Sequence, residues 1–239
     1  MNPLEFKYLR KSTINTYLQC PMKLLLHAAF PNISPSNVMK RGTEFHNQAH
    51  KFFDKFKEGK KYTYNSFRKL MPPGEMYDNF IEWEWDRYDE GRNKYFMPVL
   101  RERWIISRRL RLKGTVDRVE QLDENHFCVV EYKTGKVHSL SMYRRELCIY
   151  MLILNDIKIL KGPVTHLKCL WVDQKKFLFE KIHPASVKAT KRAIEQVRKG
   201  IDARKFPKKP SMLCAWCPFI GVCTDLNEET IMNVLEVTK

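Results

Sequence analysis

The chain lacks a hydrophobic run long enough to cross a membrane. The MLIL run at residues 151–154 is followed at once by Asn155 and Asp156, whereas a membrane-spanning helix needs about 18 or more apolar residues. The opening residues, MNPLEFKYLRKS, contain no apolar segment of the kind that signal peptides carry. We therefore expect a soluble, cytoplasmic protein with no membrane partner.

Acidic residues are scarce relative to basic ones. The 239 residues include 27 Asp and Glu against 43 Lys and Arg, which gives a formal net charge of +16. Such an excess favours an acidic partner, most commonly nucleic acid. The basic residues are spread along the chain rather than gathered in one tail, which favours an extended DNA-binding groove over a patch that tethers the protein to a membrane. Hydrophobic residues make up 44% of the chain, enough for a sizeable core.

The sequence also lacks a P-loop and a disulfide framework. No G-x-x-x-x-G-K-[ST] segment is present, which argues against ATP hydrolysis by this chain. The seven cysteines are an odd number in a chain without a signal peptide, which favours metal binding or catalysis over disulfides. Internal repeats and Gly/Ser linkers are absent too, so we expect one domain over residues 1–239.

Hydrophobic periodicity predicts alternating helices and strands. Phe45, Ala49, Phe52 and Phe56 are spaced 4, 3 and 4 apart, which predicts one buried face of a helix over residues 39–57. The same reading predicts helices at 75–96, 140–154 and 184–203, strands at 110–117 and 126–135, and a hairpin around 173–174. This order predicts an α/β fold with a mixed β-sheet flanked by helices. The domain then has a mainly helical N-terminal part (1–98), a catalytic sheet core (99–183), and a basic helix with the C-terminal cysteine cluster (184–239).

Two carboxylates are predicted to converge in the hairpin of residues 110–135. With its turn near residues 123–124, Asp117 lies opposite residues 129–131, and Glu131 and Lys133 leave the same face of the returning strand. Two carboxylates this close repel each other unless a divalent cation lies between them, and hard oxygen ligands select Mg²⁺ or Mn²⁺. Such a cation activates water for attack on a phosphate. The alternative is that Glu-x-Lys forms an ordinary solvated strand surface.

Three motifs resemble the RecB-like branch of the PD-(D/E)XK nucleases: RGTEFH at 41–46, GTVD at 114–117 and VVEYKTGK at 129–136. The resemblance implies a restriction-endonuclease-like core with a Mg²⁺ or Mn²⁺ site. The metal ligands that it implies are His46, Asp117, Glu131 and the backbone carbonyl of Tyr132. Asp117, Glu131 and Lys133 are the implied catalytic residues.

The next motif of this branch is Gln-x-x-x-Tyr, and this sequence departs from it. ELCIY at 146–150 has Glu146 in place of the glutamine and Tyr150 in register. Both residues are candidates for contact with DNA, since i and i+4 share one face of a helix. An ionised Glu146 cannot donate to a phosphate and would repel it. It is therefore expected either near the metal or as a plain surface residue.

The C-terminal cysteines form a compact cluster of soft ligands. Cys214, Cys217 and Cys223 have the spacing C-x₂-C-x₅-C, and Cys20 precedes Pro21 at a predicted helix break. Four thiolates suit either zinc or an iron–sulfur cluster. The remaining cysteines are expected to be small buried residues: Cys128, Cys148 and Cys169.

One Cys-Pro near the N-terminus with three C-terminal cysteines resembles the iron–sulfur nucleases of the RecB-like branch. Chain size points to the CRISPR-associated Cas-four-type exonucleases and their viral relatives. The resemblance implies a 4Fe–4S cluster, held by Cys20, Cys214, Cys217 and Cys223, that joins the N- and C-terminal segments.

The resemblance also implies a function. It indicates a metal-dependent DNA exonuclease that prefers single strands and 5′ ends. Its setting is CRISPR spacer acquisition in antiviral defence, beside the adaptation integrase, or viral DNA replication and recombination. The alternative is a non-catalytic iron–sulfur DNA-binding factor with a vestigial site, a reading that the Glu146 substitution favours. On the basic helix, Lys188, Lys191 and Arg192 are candidates for contact with DNA or for a solubilising face.

Overall fold

The computed structural model describes residues 6–31, 37–57, 59–89, 92–137, 139–225, 227 and 229–231. The helices are α1 (Lys11–Gln19), α2 (Pro21–Ala29), α3 (Asn37–Lys55), α4 (Tyr64–Arg68), α5 (Glu75–Asp89), α6 (Leu140–Ile157), α7 (Pro184–Asp202) and α8 (Ile220–Asp225), with 3₁₀ turns at Arg92–Tyr95 and Met212–Trp216. Within these described stretches, none of the helices has the length and apolar content that crossing a bilayer requires.

Five strands form one mixed sheet. They are β1 (Leu100–Ser107), β2 (Leu112–Gln121), β3 (Phe127–Lys133), β4 (Val164–Trp171) and β5 (Lys176–Lys181), arranged in that order across the sheet. Only the β3–β4 pair is parallel; the other three neighbouring pairs are antiparallel. The crossover that a parallel pair requires is made by α6. The predicted α/β class with a mixed sheet flanked by helices is confirmed.

Helices cover both faces of this sheet. Along β3, Val129 packs into a core shared with α1, α2, α6 and α7, whereas Cys128 and Val130 pack into a second core with α3, α4 and α5. Phe45 and Phe52 of α3 are fully buried in that second core, which confirms the predicted stripe on this helix. Helices from both faces of the sheet therefore lie near the end of β3, where the chain leaves the parallel β3–β4 pair.

Several predicted boundaries were wrong. The strand predicted to end at residue 117 continues to Gln121, and the helix predicted to end at residue 154 continues to Ile157. The helix predicted over 75–96 ends at Asp89, and residues 92–95 form a separate 3₁₀ turn. The strand predicted from residue 110 begins at Leu112. A turn precedes it, in which Arg111 adopts a left-handed φ of 46°, and this turn joins β2 to β1.

Candidate functional site

Three carboxylates stand in a row across the first three strands. The β2–β3 register continues from the Arg118–Val130 pair, which places Asp117 opposite Glu131. The β1–β2 register places Glu102 opposite Asp117. The hairpin therefore places Asp117 and Glu131 opposite each other, as the sequence predicted. Strand β1 adds Glu102, which the sequence did not single out. Among the described residues, the ligand atoms that lie within 4.8 Å of one another belong to His46, Glu102 and Asp117, and Glu131 is not in that set.

His46 of α3 reaches this row from the second layer. Its Nδ1 lies 3.5 Å from Asp117 Oδ2 and 3.4 Å from Glu102 Oε1, and one ligand atom from each of the three residues lies within 4.8 Å of the others. Glu102 has a φ of 42°, which strand residues rarely adopt. Burial disfavours the His46 imidazolium, yet the Glu102 hydrogen bond and the nearby Asp117 carboxylate raise the pKa of His46 overall.

Asp117 is buried and fixed by the backbone of β3. Its Oδ2 accepts a hydrogen bond from the Tyr132 N–H at 2.9 Å. Burial, followed by the negative charge of Glu131, raises the pKa of Asp117 to about 7. Because the N–H and C=O of a strand residue leave on the same side, the Tyr132 carbonyl faces the same region. The carbonyl that the sequence proposed as a ligand thus lies on the side of the carboxylates.

The two oxygens of Glu131 have different surroundings. Oε1 accepts from Lys133 Nζ at 2.9 Å and also contacts Lys11 Nζ. Oε2 is buried and has no hydrogen-bond partner in the described part of the chain. Burial opposes the Glu131 charge, but Lys11 and Lys133 lower its pKa to about 2. An ionised, buried oxygen without a partner is costly, and coordination to a divalent cation would satisfy it. The carboxylate oxygens, which outnumber the one imidazole nitrogen, suit Mg²⁺ or Mn²⁺.

Glu146 belongs to the same site. It is buried on α6, with Oε2 2.8 Å from Lys133 Nζ and Oε1 2.6 Å from the Asn15 side-chain amide. The reading of Glu146 as a plain surface residue was wrong, because α6 packs across the end of β3. Lys11 was missed, since no pattern in the sequence relates residue 11 to Glu131.

Tyr150 does not offer its ring to DNA in this structure. The side chain is 2% exposed, Lys11 Nζ lies 4.9 Å from the ring centroid, and Gly114 packs against the ring edge. The contact of Tyr150 with DNA stays a prediction, and in this structure the inward face of α6 holds the residue in the core.

The three predicted DNA contacts on α7 are all exposed. Lys188, Lys191 and Arg192 line a shallow cavity of α7, while Ile194 and Val197 on another side of the helix are buried. The contact of these basic residues with DNA stays a prediction.

The four cysteines predicted as one ligand set line one pocket. Cys20 lies between α1 and α2, and Cys214, Cys217 and Cys223 surround the other side of the same pocket. Burial raises the pKa of the Cys223 thiol; Lys208 opposes this, and the three neighbouring thiols add to it. The Ser211 N–H donates to Cys214 Sγ at 3.4 Å. The other three cysteines are fully buried elsewhere, as predicted: Cys128, Cys148 and Cys169.

The comparison with protein families identifies one family. The sequence model described as the PD-(D/E)XK nuclease superfamily matches residues 11–224. This span includes every residue of the carboxylate site and all four cysteines of the pocket. No curated protein matches the chain.

Proposed function

Because the chain belongs to the PD-(D/E)XK nuclease superfamily, we propose that it is a metal-dependent DNA exonuclease that hydrolyses phosphodiester bonds. The observation that carries this proposal is the joint position of Asp117 in the middle of β2 and of Glu131 and Lys133 at the end of β3, with His46 3.5 Å from Asp117. The family supports cleavage of nucleic acid and a divalent cation. The resemblance of the motifs supports the finer choices of single-stranded DNA and of 5′ ends.

The residues that would hold the cation are His46, Asp117, Glu131 and the carbonyl of Tyr132, with Glu102 as a further candidate. The unpartnered Glu131 Oε2 and the raised pKa of Asp117 both fit such a role. A bound Mg²⁺ or Mn²⁺ would acidify a water molecule and neutralise charge on the phosphate. The hydrogen bond from the Tyr132 N–H to Oδ2 fixes the orientation of the Asp117 carboxylate.

Lys133 is the proposed catalytic lysine. Glu131 and Glu146 hold its ammonium at 2.9 and 2.8 Å, and burial opposes the charge while Glu131 raises its pKa further above the usual value. The side chain is therefore positively charged at every physiological pH. A fixed ammonium stabilises the negative charge that develops on a phosphate during cleavage, and the protein need not reorganise to provide it.

The four-cysteine pocket is proposed to hold a 4Fe–4S cluster that joins the N- and C-terminal segments. All four thiols line one pocket, which suits a single metal group with four thiolate ligands. The resemblance of the cysteine motif supports a 4Fe–4S cluster over zinc.

The proposed setting is the one that the resemblance implies. It is either CRISPR spacer acquisition, beside the adaptation integrase, or viral DNA replication and recombination. We propose a cytoplasmic protein of a single domain over residues 1–239. Lys188, Lys191 and Arg192 are proposed to bind the DNA backbone, in keeping with the net charge of +16.

The nuclease proposal is tested with end-labelled DNA. Single and double strands labelled at the 5′ or the 3′ end are incubated with Mg²⁺ or Mn²⁺ and either wild type or Lys133→Ala. We expect wild type to shorten single strands from the 5′ end and Lys133→Ala to be strongly impaired. Equal cleavage by both proteins contradicts the mechanism, and DNA binding without cleavage by either supports the vestigial-site alternative.

The cluster is tested by metal analysis after anaerobic purification. We expect about four iron and four sulfide per chain, and loss of both in Cys20→Ala. Cys128→Ala is the matched control, because Cys128 is buried outside the pocket and should leave the iron content unchanged. Stoichiometric zinc without iron or sulfide contradicts the cluster.

A further inference from the structure

Lys11 is a second lysine at the nuclease site, and it comes from α1 rather than from the sheet. Its Nζ contacts Glu131 Oε1, the same oxygen that accepts from Lys133. The Lys11 side chain is 22% exposed, so part of it reaches solvent beside the buried carboxylates. A strand of DNA that approaches these carboxylates from solvent would pass this side chain.

The two lysines are held unequally. Two carboxylates hold Lys133, at 2.9 and 2.8 Å. Lys11 has one close carboxylate, because Glu146 Oε2 is 3.9 Å away, which is too far for a hydrogen bond; its other neighbour is the Tyr150 ring. Since an ammonium has three donors, Lys11 keeps more capacity than Lys133 for a further anion.

The balance of charge at the site also singles out Lys11. Asp117, Glu131 and Glu146 are three buried carboxylates, and Lys11 and Lys133 offset part of their charge. A divalent cation bound by these carboxylates would repel both ammoniums on Glu131 Oε1. The two side chains are about equally exposed, at 22% for Lys11 and 24% for Lys133, so the ammonium with fewer close carboxylates, that of Lys11, is the one that is released.

We propose that Lys11 is a second phosphate-contacting residue of this site. Its ammonium leaves Glu131 Oε1 when the carboxylates are neutralised by a divalent cation, and it then binds a non-bridging oxygen of the DNA backbone. Only the side chain has to move, because Asn15, about one turn further along α1, is held by Glu146 at 2.6 Å. This inference rests on the proposed nuclease function.

Lys11→Met and Lys11→Arg test the proposal, with Lys161→Met as a control. Lys161 is an exposed lysine in the loop before β4, at the opposite end of the parallel strands, so this variant removes one charge away from the site. The first measurement is the Kd of Mn²⁺ for each protein without DNA. Because Lys11 competes with the cation, we expect Lys11→Met to lower this Kd by roughly three- to tenfold, and Lys11→Arg and Lys161→Met to leave it within about twofold.

The second measurement is affinity for single-stranded DNA in Ca²⁺, across a series of salt concentrations. We expect Lys11→Met to weaken binding and to reduce the log–log salt slope by about 0.7, the value of one phosphate contact on a single strand. Lys11→Arg should restore both, because guanidinium also binds phosphate. Lys161→Met should change neither. If Lys11→Met does not fold, as judged by circular dichroism, Lys11→Gln takes its place.

A residue that only supports Glu131 would give the opposite pattern. Weaker Mn²⁺ binding by Lys11→Met, with DNA affinity and salt slope unchanged, overturns the proposal. The proposed function fails separately, if wild type cleaves no DNA in Mg²⁺ or Mn²⁺. Wild-type cleavage combined with unchanged DNA binding by Lys11→Met overturns the role of Lys11 alone.

Discussion

Lys133 Nζ lies 2.8 Å from Glu146 Oε2, so the proposed catalytic lysine at the end of β3 is held by the helix that follows it. The tie crosses from the sheet to α6, which carries the chain from β3 to β4. The position of the ammonium is therefore set by the packing of α6 as well as by β3. Glu146 replaces the glutamine of the motif it resembles, yet it keeps a direct contact with the site.

Glu146→Gln should separate the two effects of this residue. The amide keeps the shape and one hydrogen-bond acceptor for Lys133 but removes a negative charge that repels DNA. We expect the KM for DNA to fall by about two- to fivefold while kcat stays within about threefold. Glu146→Leu, which loses the contact with Lys133, should lower kcat by about tenfold or more.

Steady-state cleavage of labelled single strands checks the Glu146 prediction. Glu195→Gln is the control, because Glu195 is exposed on α7 and its loss removes the same charge. An unchanged kcat in Glu146→Leu would contradict a role for Glu146 in positioning Lys133.

Gly114→Ala should disturb the site through Tyr150. A Cβ at position 114 would lie 2.9 Å from Cε1 of the buried Tyr150 ring, which is too close for any carbon contact, so the ring beneath Lys11 must shift. We expect a loss of about 1–3 kcal/mol in the free energy of unfolding, together with reduced cleavage. Urea denaturation checks the first effect. Gly221→Ala is the control, since a Cβ there meets no atom within 4 Å, and an equal loss in both variants argues against the contact.

Arg118→Leu should be strongly destabilising. Arg118 is buried, donates to Glu84 at 2.7 Å and contacts Glu120. Its removal leaves the buried carboxylates of Glu84 and Glu120 with less positive charge beside them. In comparable networks such a loss lowers the free energy of unfolding by about 3–5 kcal/mol. Arg109→Met provides the comparison: Arg109 is 76% exposed and pairs with Asp156, so its loss should cost less than about 1 kcal/mol. Equal destabilisation of the two variants in urea would refute this ranking.

The same network predicts how stability depends on pH. Burial opposes ionisation of Glu84 and Glu120, but Arg118 lowers the pKa of both carboxyls below the ordinary 4.5. A lowered pKa in the folded state stabilises the protein above the unfolded-state pKa, and this contribution is lost as pH falls below about 4.5. In Arg118→Leu the carboxyls of Glu84 and Glu120 protonate more readily. The difference in free energy of unfolding between variant and wild type should therefore become smaller from pH 7 to pH 4. A difference that grows contradicts the assignment.

The sequence predicted the parts of the site that depend on local pattern. Asp117 and Glu131 were found because a hairpin register relates residues 14 positions apart, and a strand's period of two relates Glu131 to Lys133. The α/β class followed from the order of periodic segments. These relationships are short in sequence, and local spacing therefore determines them.

The missed residues depend on tertiary packing. Lys11 reaches Glu131 across 120 positions, and Glu102 enters the site through an irregular φ on an edge strand. The helical spacing of Tyr150 fits a DNA contact and a core residue equally well, and its burial follows from the packing of α6 rather than from the local sequence. Burial and long-range contacts of this kind leave no local signature.

Single-turnover cleavage of 5′-labelled single-stranded DNA by wild type and Glu131→Gln tests the central claim most directly. Glu131→Gln keeps the size of the side chain but removes the charge that would bind the cation. We expect wild type to cleave in Mg²⁺ or Mn²⁺ and to stop in excess EDTA, and Glu131→Gln to be slower by about a thousandfold or more while it still binds DNA. Cleavage by Glu131→Gln at the wild-type rate, or cleavage that persists in EDTA, would contradict the account.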